Sequence, residues 1–252
     1  GLGSSIATVF DGIFYLIIAN SKSYRFRFRL FDKLIFDRKI IRDILKISLP
    51  VSFQNVFILI GFLSFIAITG LIGVNEQAAS QTVISALFIS LMPFFGFGIA
   101  EQTIVGNALG KGNNQQARYL GNETAKLATY YALIVAFIFL LFPNLVMLIF
   151  TTDEVIINTA VPLIRIVGIA QVIYASGIVL ANGLQSAGRS LFVMSADIVI
   201  NWIIFIPISY LLAITFDLGI IGAWIAVLFY VILYSSAMIL KFNFSRWVKE
   251  KF

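Results

Sequence analysis

Seven long apolar runs, separated by short polar connections, limit this chain to very few folds. They cover approximately Leu2 to Ala19, Ile47 to Ile72, Gln77 to Ala108, Thr124 to Phe150, Val155 to Gln185, Leu191 to Phe216 and Leu218 to Phe242. A hydrocarbon core of roughly 30 Å is crossed by a helix of about 20 residues, and each run reaches or approaches that length. With 60% hydrophobic and 12% charged residues and a mean hydropathy of +0.98, too little polar surface remains to coat a soluble globule of 252 residues. The reading is an all-α integral membrane protein with seven transmembrane helices.

Orientation follows from charge. The one long polar segment, Asn20 to Lys46, holds nine of the eighteen Lys and Arg residues against three acids, Asp32, Asp37 and Asp43. Later connections alternate: Gly73 to Glu76 has no base, Gly110 to Lys126 has Lys111, Arg118 and Lys126, and Thr151 to Glu154 has two acids. Arg189, then Asp217 alone, then a tail with Lys241, Arg246, Lys249 and Lys251 continue the pattern. Every base except Arg165, inside the fifth run, falls on one side, which the positive-inside rule makes cytoplasmic. The N-terminus of the chain is then outside and the C-terminus inside, with the cell (inner) membrane as its location. Residues 20–46 are expected to form a basic cytoplasmic linker. Within it, Asp37 to Ser48 sets Ile40, Ile41, Ile44 and Leu45 opposite Arg38, Lys39, Arg42 and Lys46, the pattern of a helix lying in the membrane surface, and Pro50 is expected to mark the turn into the crossing.

Several functions are excluded. The chain has no cysteine and no histidine, so disulfides, zinc sites and His-based catalysis are absent. No cluster of nucleophile, base and oxyanion donors is visible, so no enzyme and no cofactor are expected. The net charge of +6 sits at the ends of apolar runs, where it meets lipid headgroups, so nucleic acid is not a partner. Val105 to Gly112 is no phosphate loop, because only three residues separate Gly106 from Gly110 and Gly112 follows the lysine; it reads as a tight helix exit capped by glycine. Gly1 to Ala19 lacks a basic start and carries Asp11, unlike a signal peptide.

An internal repeat extends the architecture. Gly3 to Tyr15 (GSSIATVFDGIFY) aligns with Gly222 to Tyr234 (GAWIAVLFYVILY) with six identities in thirteen positions. Helix 1 is then equivalent to helix 7, and two six-helix units in the same orientation follow, as in parallel-repeat transporters. Residues 1–19 are the last helix of a first lobe, 20–46 the linker, 47–242 a complete six-helix second lobe and 243–252 a basic tail. The expected substrate site lies between the lobes.

Against that architecture, local stretches resemble the C-terminal half of MATE (multidrug and toxic compound extrusion) transporters. They are Ile44 to Val51 (ILKISLPV), Pro93 to Ala117 (PFFGFGIAEQTIVGNALGKGNNQQA), Asn182 to Arg189 (NGLQSAGR), Asn201 to Leu211 (NWIIFIPISYL) and Leu218 to Trp224 (LGIIGAW). The resemblance implies an antiporter that exports amphiphilic, often cationic compounds in exchange for H⁺ or Na⁺ by alternating access between two lobes. Its expected partners are those small molecules, the lipid bilayer and an N-terminal lobe of the same protein. The alternative within the same fold is a lipid or polysaccharide flippase, which Arg165 as the single base within a crossing disfavours. Some branches of the family carry carboxylates in the seventh and tenth helices, where this chain has Gln54 and Asn55, and then Tyr174, Ser176 and Asn182. In another branch the coupling acid lies in the first helix of the N-terminal lobe, so the resemblance implies that the coupling ion, H⁺ or Na⁺, binds mainly there.

Three acids lie within crossings, Asp11, Glu101 and Asp197, and each is costly there unless it faces protein or water. With Gln54, Asn55, Tyr174, Asn182 and Asn201 they form the candidate substrate and ion pathway. At ~1.5 Å per residue, Asp11 is near mid-membrane, Asp197 is ~10 Å to its cytoplasmic side and Glu101 lies closer to the surface. Glu101 is expected to reach the interface and stay hydrated, and Asp197, with Asn201 one turn along the same helix, to matter more to transport.

Overall fold

The structure, a computed structural model, describes residues 9–10, 12–15, 17–18 and 37–244, with the side chain of Ile47 excepted. Asp11, the linker residues 20–36 and the tail residues 245–252 lie outside the described residues. The chain divides into two units, Gly1–Ile44 and Leu45–Phe252. In the first, the described residues between 9 and 18 are helical. Asp37 caps the helix that starts at Arg38, accepting the Lys39 amide at 2.8 Å through its carboxylate.

Helices account for nearly all the described chain: α1 (Arg38–Ile72), α2 (Val74–Gly110), α3 (Asn114–Leu141), the short α4 (Pro143–Leu148), α5 (Glu154–Ser186), α6 (Ser190–Thr215) and α7 (Gly219–Phe244). All but α4 are long and apolar enough to cross a membrane, which makes six such spans among the described residues. Chain order puts the α2–α3, α5–α6 and C-terminal ends of these spans together at one end of the lobe.

Three boundaries differ from expectation. Pro50 does not break the chain at a turn; it lies inside α1, which is continuous from Arg38 to Ile72. A proline removes one intrahelical hydrogen bond, a loss that membrane helices tolerate when neighbouring groups satisfy the freed carbonyl. The expected loop up to Lys126 is much shorter, because Asn113 caps α3 by accepting the Gln116 amide at 2.9 Å while its own amide reaches Gln116 Oε1 at 3.2 Å. Arg118 and Lys126 therefore ride on α3. The fourth run is two helices, since Phe142 leaves the helical region (φ −123°, ψ 42°) and Pro143 opens α4 at its first turn.

The glycine-rich exit from α2 is as read. Gly112 takes φ +72°, its amide returns to Leu109 O at 2.9 Å, and the Asn113 amide reaches Ala108 O at 3.0 Å. This left-handed residue is the reason glycine stands there. Gly188 closes α5 the same way at φ +73°, with Arg189 bonded back to Leu184 O at 2.9 Å.

Within the second unit α5 is central, packing on α2, α3 and α7. Its contact face is rich in small residues, Ala160, Gly168, Ala175, Gly177, Ala181 and Gly183, all buried. Small residues let helix backbones approach, which is how helices associate where lipid removes the usual hydrophobic drive. The closest approach is at Gly177, where an added Cβ would lie 2.7 Å from Ser235 Cα on α7. Large apolar side chains such as Ile134, Phe137 and Leu141 on α3 point outward, as expected of a surface meeting hydrocarbon.

The course of α6 was not foreseen. Two π-helical stretches, Ile200–Phe205 and Leu211–Thr215, flank Pro207. Pro207 lacks the N–H that a regular turn would return to Ile203, and its ring crowds that carbonyl, so the preceding turn widens. Asn201 sits in this widened turn, four residues after Asp197 on the helix.

Candidate functional site

Asp197 is 2% exposed, and both of its oxygens are occupied. Gln54 on α1 donates its amide to Oδ2 at 2.7 Å, and Tyr230 on α7 donates its hydroxyl to Oδ1 at 2.8 Å. Gln185, at the end of α5, donates to Gln54 Oε1 at 3.1 Å, which fixes the Gln54 amide with its nitrogen toward the carboxylate. One acid thus ties together α1, α5, α6 and α7. Donors committed to a buried carboxylate make some of the stronger hydrogen bonds in proteins, and they hold it in one place.

Aromatic rings extend from this acid. Tyr230 stacks on Tyr234 (centroids 5.7 Å apart, planes 15° apart), and Tyr174 on α5 lies 6.4 Å from the first and 5.7 Å from the second. Tyr174 and Tyr230, with Gln171, Trp224, Leu87 and Leu91, line an apolar cavity of about 140 Å³. Gln171 is anchored by donating to Ser90 Oγ at 2.7 Å, and Trp224 by donating to Ser80 Oγ at 2.9 Å. An apolar cavity with aromatic faces and a few fixed polar groups, one of them a tyrosine bonded to a carboxylate behind it, can hold a hydrophobic cation.

Of the residues singled out from sequence, Asp197, Gln54 and Tyr174 come together here, the last through Tyr230. Asn201 is 7% exposed, leans on the Gly61 backbone of α1, and leaves its Oδ1 without a hydrogen bond. Asn55 is exposed and takes no part. Asn182 belongs to another contact, accepting from Gln102 Nε2 at 2.8 Å and donating to Ile178 O at 2.8 Å. Gln185, Gln171 and the tyrosine pair Tyr230 and Tyr234 were missed. The four-residue spacing of the tyrosines on an apolar helix was the available signal.

Glu101 corrects the sequence reading. It does not reach the interface: the residue is 0% exposed, and neither carboxylate oxygen has a hydrogen-bond partner. The reason is packing. Gly121 on α3 and Gly183 on α5 open a notch, and a Cβ at either position would come within 2.6 Å of Glu101 Oε1. The Phe242 ring of α7 closes it, 2.5 Å from the Gly121 Cβ position. With α2 running nine residues beyond Glu101, the carboxylate lies about 13 Å in from that helix end, too deep to snorkel. Among the described residues no three acidic side chains gather.

A family model, MatE, matches residues 50–211, more than half of the chain and most of the elements just described. This chain belongs to the MatE family. Its members are membrane transporters, not enzymes. Over 98% of its length this MatE chain is 27% identical to a probable multidrug resistance protein NorM of Thermotoga maritima, covering 54% of that relative. Over 62% of its length it is 27% identical to the human multidrug and toxin extrusion protein 1, covering 28% of that protein. The chain spans about half the length of the first of these relatives, and less of the second. Among solved structures, a MATE crystal structure in a bent conformation superposes with a TM-score of 0.79 at 20% identity, over 84% of this chain and 47% of that one. An outward-facing multidrug resistance MATE family transporter gives 0.78 at 20% identity, over 84% and 48%. The all-helical fold of the MatE chain is therefore that of part of a MATE transporter.

Proposed function

We propose that this chain is roughly the C-terminal half of a cation-coupled antiporter, driven by H⁺ or Na⁺, that exports amphiphilic, often cationic compounds by alternating access between two six-helix lobes. The observation that carries the reading is the buried Asp197, gripped by Gln54 and by Tyr230, whose ring lines the apolar cavity. A desolvated carboxylate attracts a cation far more strongly than a hydrated one, and the adjoining rings and aliphatic walls take the apolar body. The tyrosines set the orientation of the substrate, and Gln54 holds the acid in place while the lobes move. The N-terminal lobe supplies the other wall of the path and the main coupling site. The lobe sits in the inner membrane with the Gly110 to Gln116 connection in the cytoplasm, a placement that the distribution of Lys and Arg supports.

The test is export of tetraphenylphosphonium from proteoliposomes holding the complete protein. Asp197→Asn lowers export at least tenfold at equal protein content; unchanged export removes Asp197 from the path. Topology is read separately from single cysteines at Asn113 and Asn75, which label from opposite sides of the membrane. Labelling from one side contradicts the proposed threading.

A further inference from the structure

Resting on that reading, we infer that Glu101 is a proton-carrying site within this lobe, separate from the Asp197 cluster, loaded when the carboxyl sits in the Gly121–Gly183–Phe242 notch and discharged when the lobe changes shape. A fully buried carboxyl whose oxygens accept no well-aligned hydrogen bond costs far less in that place as the neutral acid than as the anion. Gly121, Gly183 and the Phe242 ring wall the carboxyl, and the Thr124 hydroxyl is the side-chain oxygen the structure sets beside it, a sparse set for sodium, which takes several oxygen ligands. Thr124, one turn along α3 from Gly121, now gives its hydroxyl to Leu120 O at 3.0 Å. Rotation of that hydroxyl toward Glu101 provides the donor that the ionised form requires.

Charged groups around the notch are engaged elsewhere. On α3, Arg118 donates to Asn243 O of α7 at 2.9 Å, and Glu123 pairs with Lys126 at 2.7 Å on the outer face. On α7, Lys241 lies over the Phe192 ring, 4.8 Å from its centroid. From Gln171 to its end at Ser186, α5 carries Tyr174 as its one titratable side chain, and Arg189 follows beyond the Gly188 turn. On α2 itself the other charge is Glu76 in the first turn, at the far end of the helix. A proton also has a route. An open groove of about 520 Å³ between α3, α5 and α7 is lined by Asn122, Lys126, Thr129, Tyr130, Ser176 and Asn243. Asn122 and Asn243 adjoin in sequence the Gly121 and Phe242 that wall the carboxyl, and they bond to each other at 2.8 Å.

The experiment is a pH titration of the complete purified protein by difference infrared spectroscopy, following the carbonyl stretch of protonated carboxyls, in wild type, Glu101→Gln and Asp197→Asn. The expected result is a band that appears as pH falls, is lost in Glu101→Gln and is kept in Asp197→Asn. If Glu101→Gln does not fold, Glu101→Asp shifts the frequency and midpoint of the same band. A band that survives Glu101→Gln, is unmoved by Glu101→Asp, or shifts its midpoint with Na⁺ concentration overturns the inference. The titration needs no drug, so it stands apart from the transport assay: a titrating Glu101 in a protein that exports nothing contradicts the proposed function, not the proton site.

Discussion

Asp197 and Glu101 are both buried acids in the same lobe, yet one has every oxygen served and the other has none. Asp197 is reached by side chains from two other helices, whereas Glu101 fits a space made by the absence of side chains at Gly121 and Gly183. The difference teaches what burial alone does not. An acid held by committed donors is fixed in place, where a substrate can meet it. An acid walled by glycines and a phenyl ring, with one threonine hydroxyl in reach, is suited to taking up and giving back a proton.

The largest effect expected from disturbing this contrast is at the served acid. Asp197→Ala leaves the Gln54 amide and the Tyr230 hydroxyl buried without an acceptor, at about 3 kcal/mol or more. A fall in melting temperature of the complete protein, together with loss of tetraphenylphosphonium binding, is the expected outcome. Stability close to wild type would mean that the donors find other partners and that the cluster is not a fixed frame.

A smaller effect, with a more specific signature, is expected at the notch. Gly183→Val overpacks it and costs about 1–3 kcal/mol. Because the clash is with Glu101 Oε1, Glu101→Ala in the same chain relieves it, and the two changes are non-additive by at least about 0.5 kcal/mol. Additive losses would place the carboxyl elsewhere. Gln185→Leu removes one amide behind Gln54 and costs about 0.6 kcal/mol, the average for an interhelical hydrogen bond in a membrane protein. Asn55→Ala, on an exposed residue beside Gln54, changes stability by less than about 0.5 kcal/mol.

The two sites were unequally legible in the sequence. Apolar run length announces the crossings, and a single acid among apolar residues announces Asp197 and Glu101, so the helices and the candidate acids were readable one helix at a time. Partners were not. Tyr230 lies 33 positions from Asp197 and Gln54 lies 143, and no local pattern links them. The burial of Glu101 was misjudged for the same reason. Its distance from the run end pointed to the interface, while its depth depends on glycines of α3 and α5 that meet only after the helices pack. The widened turns of α6 around Pro207 were hidden too, since a proline announces a lost hydrogen bond but not how neighbouring turns absorb it.

The division of labour between the two acids is tested most directly by equilibrium binding of tetraphenylphosphonium to the complete protein across a range of pH, in wild type, Asp197→Asn and Glu101→Gln. The account predicts that Asp197→Asn weakens binding at least tenfold at every pH, while Glu101→Gln binds as wild type does at low pH and loses the pH dependence. Loss of affinity in Glu101→Gln with an unchanged profile in Asp197→Asn would reverse the roles assigned here and contradict the account.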